Sequence, residues 1–288
     1  MRPFPLHGFL LLAVLSAACR KPATPTPADA AIPAGADSAA VRLAASTRHG
    51  EWATLPSGGT DTIRAWVVYP ERRDRAPVVV VIHEIFGLTT WVRAVADQLA
   101  ADGFIAVAPD LLSGKRLPMP PDSLASAPGG LDSAIAVISA LDYGEVLRRI
   151  RASGAYGTAL PAATDRWGVM GFCWGGSMVL ATAAAAADLG AAVSFYGGVT
   201  PEEASLATVR APTLALLAEN DARVNETMAY ADSSYRAAGV GFERVTYRGA
   251  GHGFLRAQGA HEGANLAASR EAWPRAVGWL RGHLESGE

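Results

Sequence analysis

The spacing of hydrophobic residues changes along the chain, and each change marks an element. Residues 63–69, Ile-Arg-Ala-Trp-Val-Val-Tyr, alternate like a half-exposed strand, and Pro70 closes them. Residues 78–82 are unbroken Val and Ile, the pattern of a strand covered on both faces of a parallel sheet. Residues 91–101 have helical character and end before Gly103; the apolar strand 104–108 follows and stops at Pro109-Asp110. Further strands are predicted at 167–170, 191–195, 213–217 and 242–247. Helical spacing runs over 131–151 through Ile135, Ile138, Leu141, Val146 and Ile150, and over the Ala-rich stretch 176–187. It returns at 225–238, where Asn225 suits an N-cap and Gly239 lies just past the end. A last helix puts Trp273, Val277, Leu280 and Leu284 on one face, with Pro274 expected to limit its first turn.

Strands alternating with helices imply an α/β fold, a mostly parallel sheet with helices on both faces. Ligands in such sheets bind beyond the carboxyl ends of the strands. Residues 112–130 are Pro-rich and long for a connection, which suggests a lid on the substrate side or a plain surface excursion.

The first residues follow a different logic. Residues 1–18 carry one charge, Arg2, then the run Phe9 to Leu15, then Ser16-Ala17-Ala18, the layout of a secretory signal. The apolar run is too short to span a bilayer, which takes about 20 residues. Cys19 follows the small residues directly and resembles the lipid-modified cysteine of a bacterial lipoprotein, which implies an exported, membrane-anchored or periplasmic protein. An ordinary cleaved signal with an incidental cysteine is the alternative. Residues 19–46, rich in Pro and Ala, have the composition of an extended tether, and 47–288 form the folded domain.

Composition narrows the function. Of 288 residues, 50% are hydrophobic and 18% charged, enough apolar material for a core and against wholesale disorder. The 25 basic residues, nearly all Arg, are scattered and balanced by 27 acidic ones, so no nucleic-acid partner is expected. Two cysteines, Cys19 and Cys173, cannot make a disulfide framework. A small-molecule substrate and a monomer are expected.

The sharpest local signal is Gly171-Phe172-Cys173-Trp174-Gly175-Gly176, set between a strand and a helix of small residues. This is a nucleophile elbow of the form G-x-S-x-G with cysteine in the serine position. Glycines there let strand and helix approach, and the N-terminus of the following helix favours a thiolate. A buried cysteine is often only a small hydrophobe, but the strand–turn–helix setting argues for chemistry. A free thiol is only a few per cent ionised at neutral pH, so a base and an acid should follow. Hydrolases of this kind carry them in the order nucleophile, acid, histidine. Asp221 follows the strand 213–217, and His252, in Gly251-His252-Gly253-Phe254, follows 242–247. Glu219 is the competing acid. His83-Glu84-Ile85-Phe86-Gly87 ends the buried strand 78–82; Gly87 stands where a second zinc-binding histidine would be, so no metal site is expected. His83 suits strand-end packing. In this fold the loop at that place supplies one oxyanion N–H and the residue after the nucleophile the other, here Ile85 and Trp174.

Together, His83-Glu84-x-Phe86-Gly87, the Cys173 elbow, Asp221 and Gly251-His252-Gly253-Phe254 resemble the dienelactone hydrolase family over about residues 50–284. The resemblance implies an α/β-hydrolase domain, without a cofactor, that opens lactones or esters through Cys173, His252 and Asp221. It also implies that Glu84 bonds the resting thiol and takes its proton, and that Arg256 meets a substrate carboxylate. Phe86, Trp91, Trp174 and Phe254 then line an apolar pocket, although aromatics at these positions suit core packing equally. The Tyr-x-Arg segment of the founding lactonases is replaced by Leu112-Ser113-Gly114, with Lys115 and Arg116 displaced, and Gly253 follows the histidine. With the export signal, this fits a cell-surface esterase. The rival readings are a surface-anchored binding protein that keeps the fold without turnover, and a cysteine peptidase.

Overall fold

The computed structural model describes residues 27–285. The signal expected at residues 1–18 and the lipid-bearing Cys19 lie outside the described residues. The chain begins with two short helices, α1 (Pro27–Ala30) and α2 (Ala39–Ala44), then the hairpin β1 (Gly50–Gly58) and β2 (Asp61–Val68). There follow β3 (Ala76–Ile82), α3 (Thr90–Ala101), β4 (Ile105–Pro109), α4 (Pro121–Leu124), α5 (Gly130–Ser139) and α6 (Tyr143–Thr158). The second half runs β5 (Ala163–Phe172), α7 (Trp174–Ala185), β6 (Ala191–Phe195), β7 (Thr213–Asn220), α8 (Ala222–Ala238), β8 (Phe242–Gly251) and α9 (Ala264–Leu284).

The strands form one sheet in the order β1-β2-β4-β3-β5-β6-β7-β8. The six from β4 to β8 in that order are parallel, and β1 and β2 add antiparallel at one edge. All seven residues of β3 are buried, as expected for a strand covered on both faces. Its pleat divides the core. Val79 and Val81 face a layer built with α3 and α9, and Val78, Val80 and Ile82 face one built with α6, α7 and α8. This is the mostly parallel, doubly covered sheet that the alternating pattern predicts, in the α/β-hydrolase form that the resemblance implies.

Local chemistry moves several boundaries. The 131–151 pattern predicts one helix, but Asp142 interrupts it: its carboxylate accepts the Glu145 N–H at 2.7 Å and starts α6 afresh. Asn225 does not cap α8. β7 runs on to Asn220, Asp221 takes the N-cap position, and the Asn225 side chain donates instead to the Ala218 carbonyl at 2.9 Å. Pro274 does not limit the first turn of α9 but sits in mid-helix, where burial of Trp273, Val277, Leu280 and Leu284 carries the helix past the missing N–H. Gly239 does end α8, in the left-handed conformation.

The expected tether is also revised. Composition predicts that residues up to 46 extend freely, but from Ile32 the chain is packed on the domain, with Ile32 and Ala39 in the core. Arg42 reaches Gln98 at 3.0 Å, the Ser46 hydroxyl bonds Asp97, and Gln258 donates to the Pro33 carbonyl at 2.8 Å. A few buried apolar residues and these polar anchors outweigh the Pro/Ala-rich composition.

Candidate active site

Strand register builds the site. Phe172 of β5 pairs with Phe195 of β6, and Asn220 of β7 pairs with Gly251 of β8, all parallel. The next residues in line, Cys173, Asp221 and His252, therefore leave the sheet along one edge, at the carboxyl ends of the strands. His252 Nδ1 lies 2.5 Å from Asp221 Oδ2, and Cys173 is the other side chain that raises the ionisation of the imidazole. Asp221 is 7% exposed at its side chain and His252 34%, so the acid is covered while the imidazole keeps one face open. Glu219, the competing acid, is turned away to accept the Gly249 N–H at 2.8 Å.

Cys173 sits at the N-cap of α7 with φ 56° and ψ −119°, a conformation that L-residues rarely adopt. Such strain persists only where the surroundings fix it. Here they do: the Cys173 N–H donates to the Phe195 carbonyl at 3.1 Å, and its carbonyl accepts from Ser177. Close packing leaves no alternative. A β-carbon on Gly175 would come within 2.4 Å of the His83 carbonyl oxygen and 2.5 Å of that of Ile82. One on Gly171 would meet the Gly175 carbonyl oxygen at 2.3 Å. The glycines of the elbow are thus the condition for α7 to begin against the end of β3.

The electrostatics suit proton transfer. Burial alone would hold the imidazolium of His252 down, but the hydrogen bonds to Asp221 and Cys173 outweigh it, and its ionisation is pushed up to about 10. Glu84, buried beside the elbow, is pushed up to about 7 by desolvation, against the opposing charges of Arg256 and His252. The backbone N–H groups of Ile85 and Trp174 have no hydrogen-bond partner among the described residues, so both are available to a ligand.

Other expected residues are placed differently. The resemblance implies that Glu84 bonds the thiol; instead its Oε2 lies 3.3 Å from Nε of Arg256, because a buried carboxylate takes the nearest cation. Arg256, expected to meet a substrate carboxylate, is engaged by Glu84, stacks on the half-buried Phe86 at 5.1 Å and donates to the Ala125 carbonyl. Phe254, expected to line an apolar pocket, is instead fully buried in the core among Phe195, Tyr196 and Tyr247. Trp91 is 2% exposed and packs edge-on against Phe172, yet it also borders a cavity of about 340 Å³ beside Arg256, Asp122 and Ala36. The 112–130 stretch closes down on this rim rather than extending from it: Asp122 accepts from the backbone and hydroxyl of Thr90, both at 2.7 Å.

Two side chains at this edge make contacts that the motifs do not show, although His83 stands in one of those motifs. Tyr196 follows Phe195, has φ 41°, is fully buried and meets His252 edge-on at 5.2 Å. Its hydroxyl has no hydrogen-bond partner among the described residues. Burial, then the charges of Glu84 and Cys173, push its ionisation well above the ordinary value. The signal available in the sequence is its place one residue past a strand, level with Cys173. His83 is the other: far from being inert packing, its ring uses both nitrogens, on the Glu84 carbonyl and the Leu111 N–H.

Comparison with known proteins adds an independent line. The family model described as "Dienelactone hydrolase family" matches residues 63–284. A Salmonella typhi protein named "Putative carboxymethylenebutenolidase" is 30% identical over 240 residues, covering 79% of this chain and 85% of its own. A Bradyrhizobium protein named "Probable 2-oxo-3-(5-oxofuran-2-ylidene)propanoate lactonase" is 28% identical over 255 residues, covering 84% and 98%. The crystal structure of a "Putative Dienelactone Hydrolase from Klebsiella pneumoniae" superposes with a TM-score of 0.70 at 24% identity, covering 82% of this chain and 99% of the other, which is a likeness of fold.

Proposed function

The chain belongs to the dienelactone hydrolase family and is an ester or lactone hydrolase, and we propose that it works through a thiol triad of Cys173, His252 and Asp221. In this reading His252 holds the proton before attack, as its raised ionisation favours, and Cys173 Sγ attacks the substrate carbonyl as a thiolate. Asp221, bonded to Nδ1, stabilises that imidazolium and keeps Nε2 facing the reaction. The oxyanion is met by the N–H groups of Ile85 and Trp174. Collapse of the tetrahedral intermediate expels the alcohol, which takes the proton from His252, and leaves an acyl thioester on Cys173. Water, deprotonated by His252, then attacks the thioester and returns the thiol.

The observation that carries this reading is the parallel register of β7 with β8, which starts Asp221 and His252 side by side and gives their 2.5 Å contact. The strained elbow supports it, since backbone in that region is held where geometry matters more than stability. We assign Glu84 and Arg256 to the same site as a mutually neutralising pair: a substrate anion that draws Arg256 away would leave Glu84 free to turn to the thiol.

The test is hydrolysis of p-nitrophenyl acetate by the wild type and Cys173→Ala. The variant is expected to lose essentially all turnover above the uncatalysed rate while its thermal unfolding stays close to wild type. Equal rates would overturn the thiol mechanism.

A further inference from the structure

His83, the residue after β3, is completely buried, and its partners determine its protonation. Nδ1 lies 2.6 Å from the Glu84 carbonyl oxygen, which can only accept. Nε2 lies 3.2 Å from the Leu111 backbone nitrogen, which can only donate. The ring is therefore neutral, with its one proton on Nδ1, as its burial also favours.

The Glu84 carbonyl and the Ile85 N–H are two ends of one planar, trans peptide unit. A bond that fixes the carbonyl fixes the direction of the N–H, which points the opposite way. It also polarises the unit, so the N–H becomes the stronger donor. The Gly87 N–H adds a second, longer bond to the same carbonyl at 3.3 Å. On its face, the His83 ring stacks with Trp174, centroids 5.6 Å apart and planes 27° from parallel. Trp174 is the residue after Cys173, and its free N–H is the other half of the pair.

We infer that His83 is a positioning residue for the oxyanion hole: its Nδ1–H orients the Ile85 N–H through the shared peptide, and its face holds Trp174. The inference rests on the thiol-triad reading. A side chain present only for bulk would have no need of two hydrogen-bonding atoms. Leucine there would fill the space, strand the Leu111 N–H and leave the 84–85 peptide held by the Gly87 contact alone.

The experiment compares His83→Leu and His83→Gln with wild type and Cys173→Ala in two reactions. Acylation by p-nitrophenyl acetate passes through an oxyanion; alkylation of Cys173 by iodoacetamide does not. Removing one oxyanion donor outright costs about 100- to 1,000-fold in kcat, so a donor left loose should cost roughly 10- to 100-fold. His83→Leu is expected to lose that much in kcat with KM within about twofold, while its alkylation rate holds within about twofold. Gln, with an amide N–H for Glu84 and a carbonyl for Leu111, should recover most of the loss. A wild-type kcat in His83→Leu, or equal falls in acylation and alkylation, would overturn the inference and leave the triad standing. An active Cys173→Ala would instead remove the triad reading, and the inference with it.

Discussion

Gly175→Ala puts one methyl group where strand and helix meet. The added carbon would lie 2.4 Å from the His83 carbonyl oxygen, 2.5 Å from that of Ile82 and 2.9 Å from the Ile82 carbonyl carbon. All three are backbone atoms of β3 or its next residue, so no side chain can swing aside. A β-carbon essentially never sits closer than 3.0 Å to a neighbour, and ordinary contact begins at 3.4 Å. The start of α7 must therefore withdraw from β3 by 0.6 Å (3.0 − 2.4) to 1.0 Å (3.4 − 2.4). Overpacking of this kind costs about 1–3 kcal/mol, which for a domain of this size lowers Tm by roughly 2–12 °C. The same displacement separates the Trp174 N–H from that of Ile85, and a misplacement near 1 Å can cost about 100-fold in rate. Thermal unfolding and kcat for p-nitrophenyl acetate, measured on the same preparation, give both quantities. A variant with wild-type Tm and wild-type kcat would refute the claim that the elbow needs this contact.

Asp221→Asn should lower kcat by about 10,000-fold, as expected when the imidazole loses its orienting carboxylate, with KM little changed; stopped-time product assays read it, and a fall under tenfold would show that another acid serves. Glu84→Gln tests the buried carboxyl pushed up to about 7 from an ordinary 4.5. Between those values the folded protein keeps a proton that the unfolded chain releases, so wild-type stability falls as pH rises through that window and levels off above it. The contribution of His252, lost as pH rises from about 6.5 toward about 10, is present in both proteins and falls mainly above this window. The urea midpoint of the variant should therefore gain on wild type from pH 4.5 to 7 and run parallel above; parallel curves throughout would contradict the raised ionisation.

The sequence carried the fold further than it carried the site. Val and Ile at 78–82 and the alternation at 63–69 placed the buried and half-exposed strands, because period and β-branching depend on burial alone. Ranges failed where a single polar side chain decides, as with Asp142 capping α6 in the middle of a helical pattern. The hairpin partner β1 went unpredicted, since Gly50–Gly58 has little apolar alternation and takes its order from pairing with β2. At the site, Cys173, Asp221 and His252 were legible through motif and order. What Glu84 and Arg256 do with each other was not, because an ion pair between residues far apart in the chain has no local signature. Tyr196 was illegible for the same reason, being defined by the imidazole it packs against; His83 was read as strand-end packing, and what stayed hidden was its bonding to a carbonyl and an N–H.

The central claim is a covalent one, and the acyl enzyme tests it directly. Wild-type protein is mixed with p-nitrophenyl acetate, quenched in acid during turnover, digested and examined by mass spectrometry. One acetyl group should appear on the peptide that contains Cys173, rise with the burst of nitrophenol and be absent from Cys173→Ala. Full turnover with no acetyl on that peptide, or with the acetyl on another residue, would contradict the account.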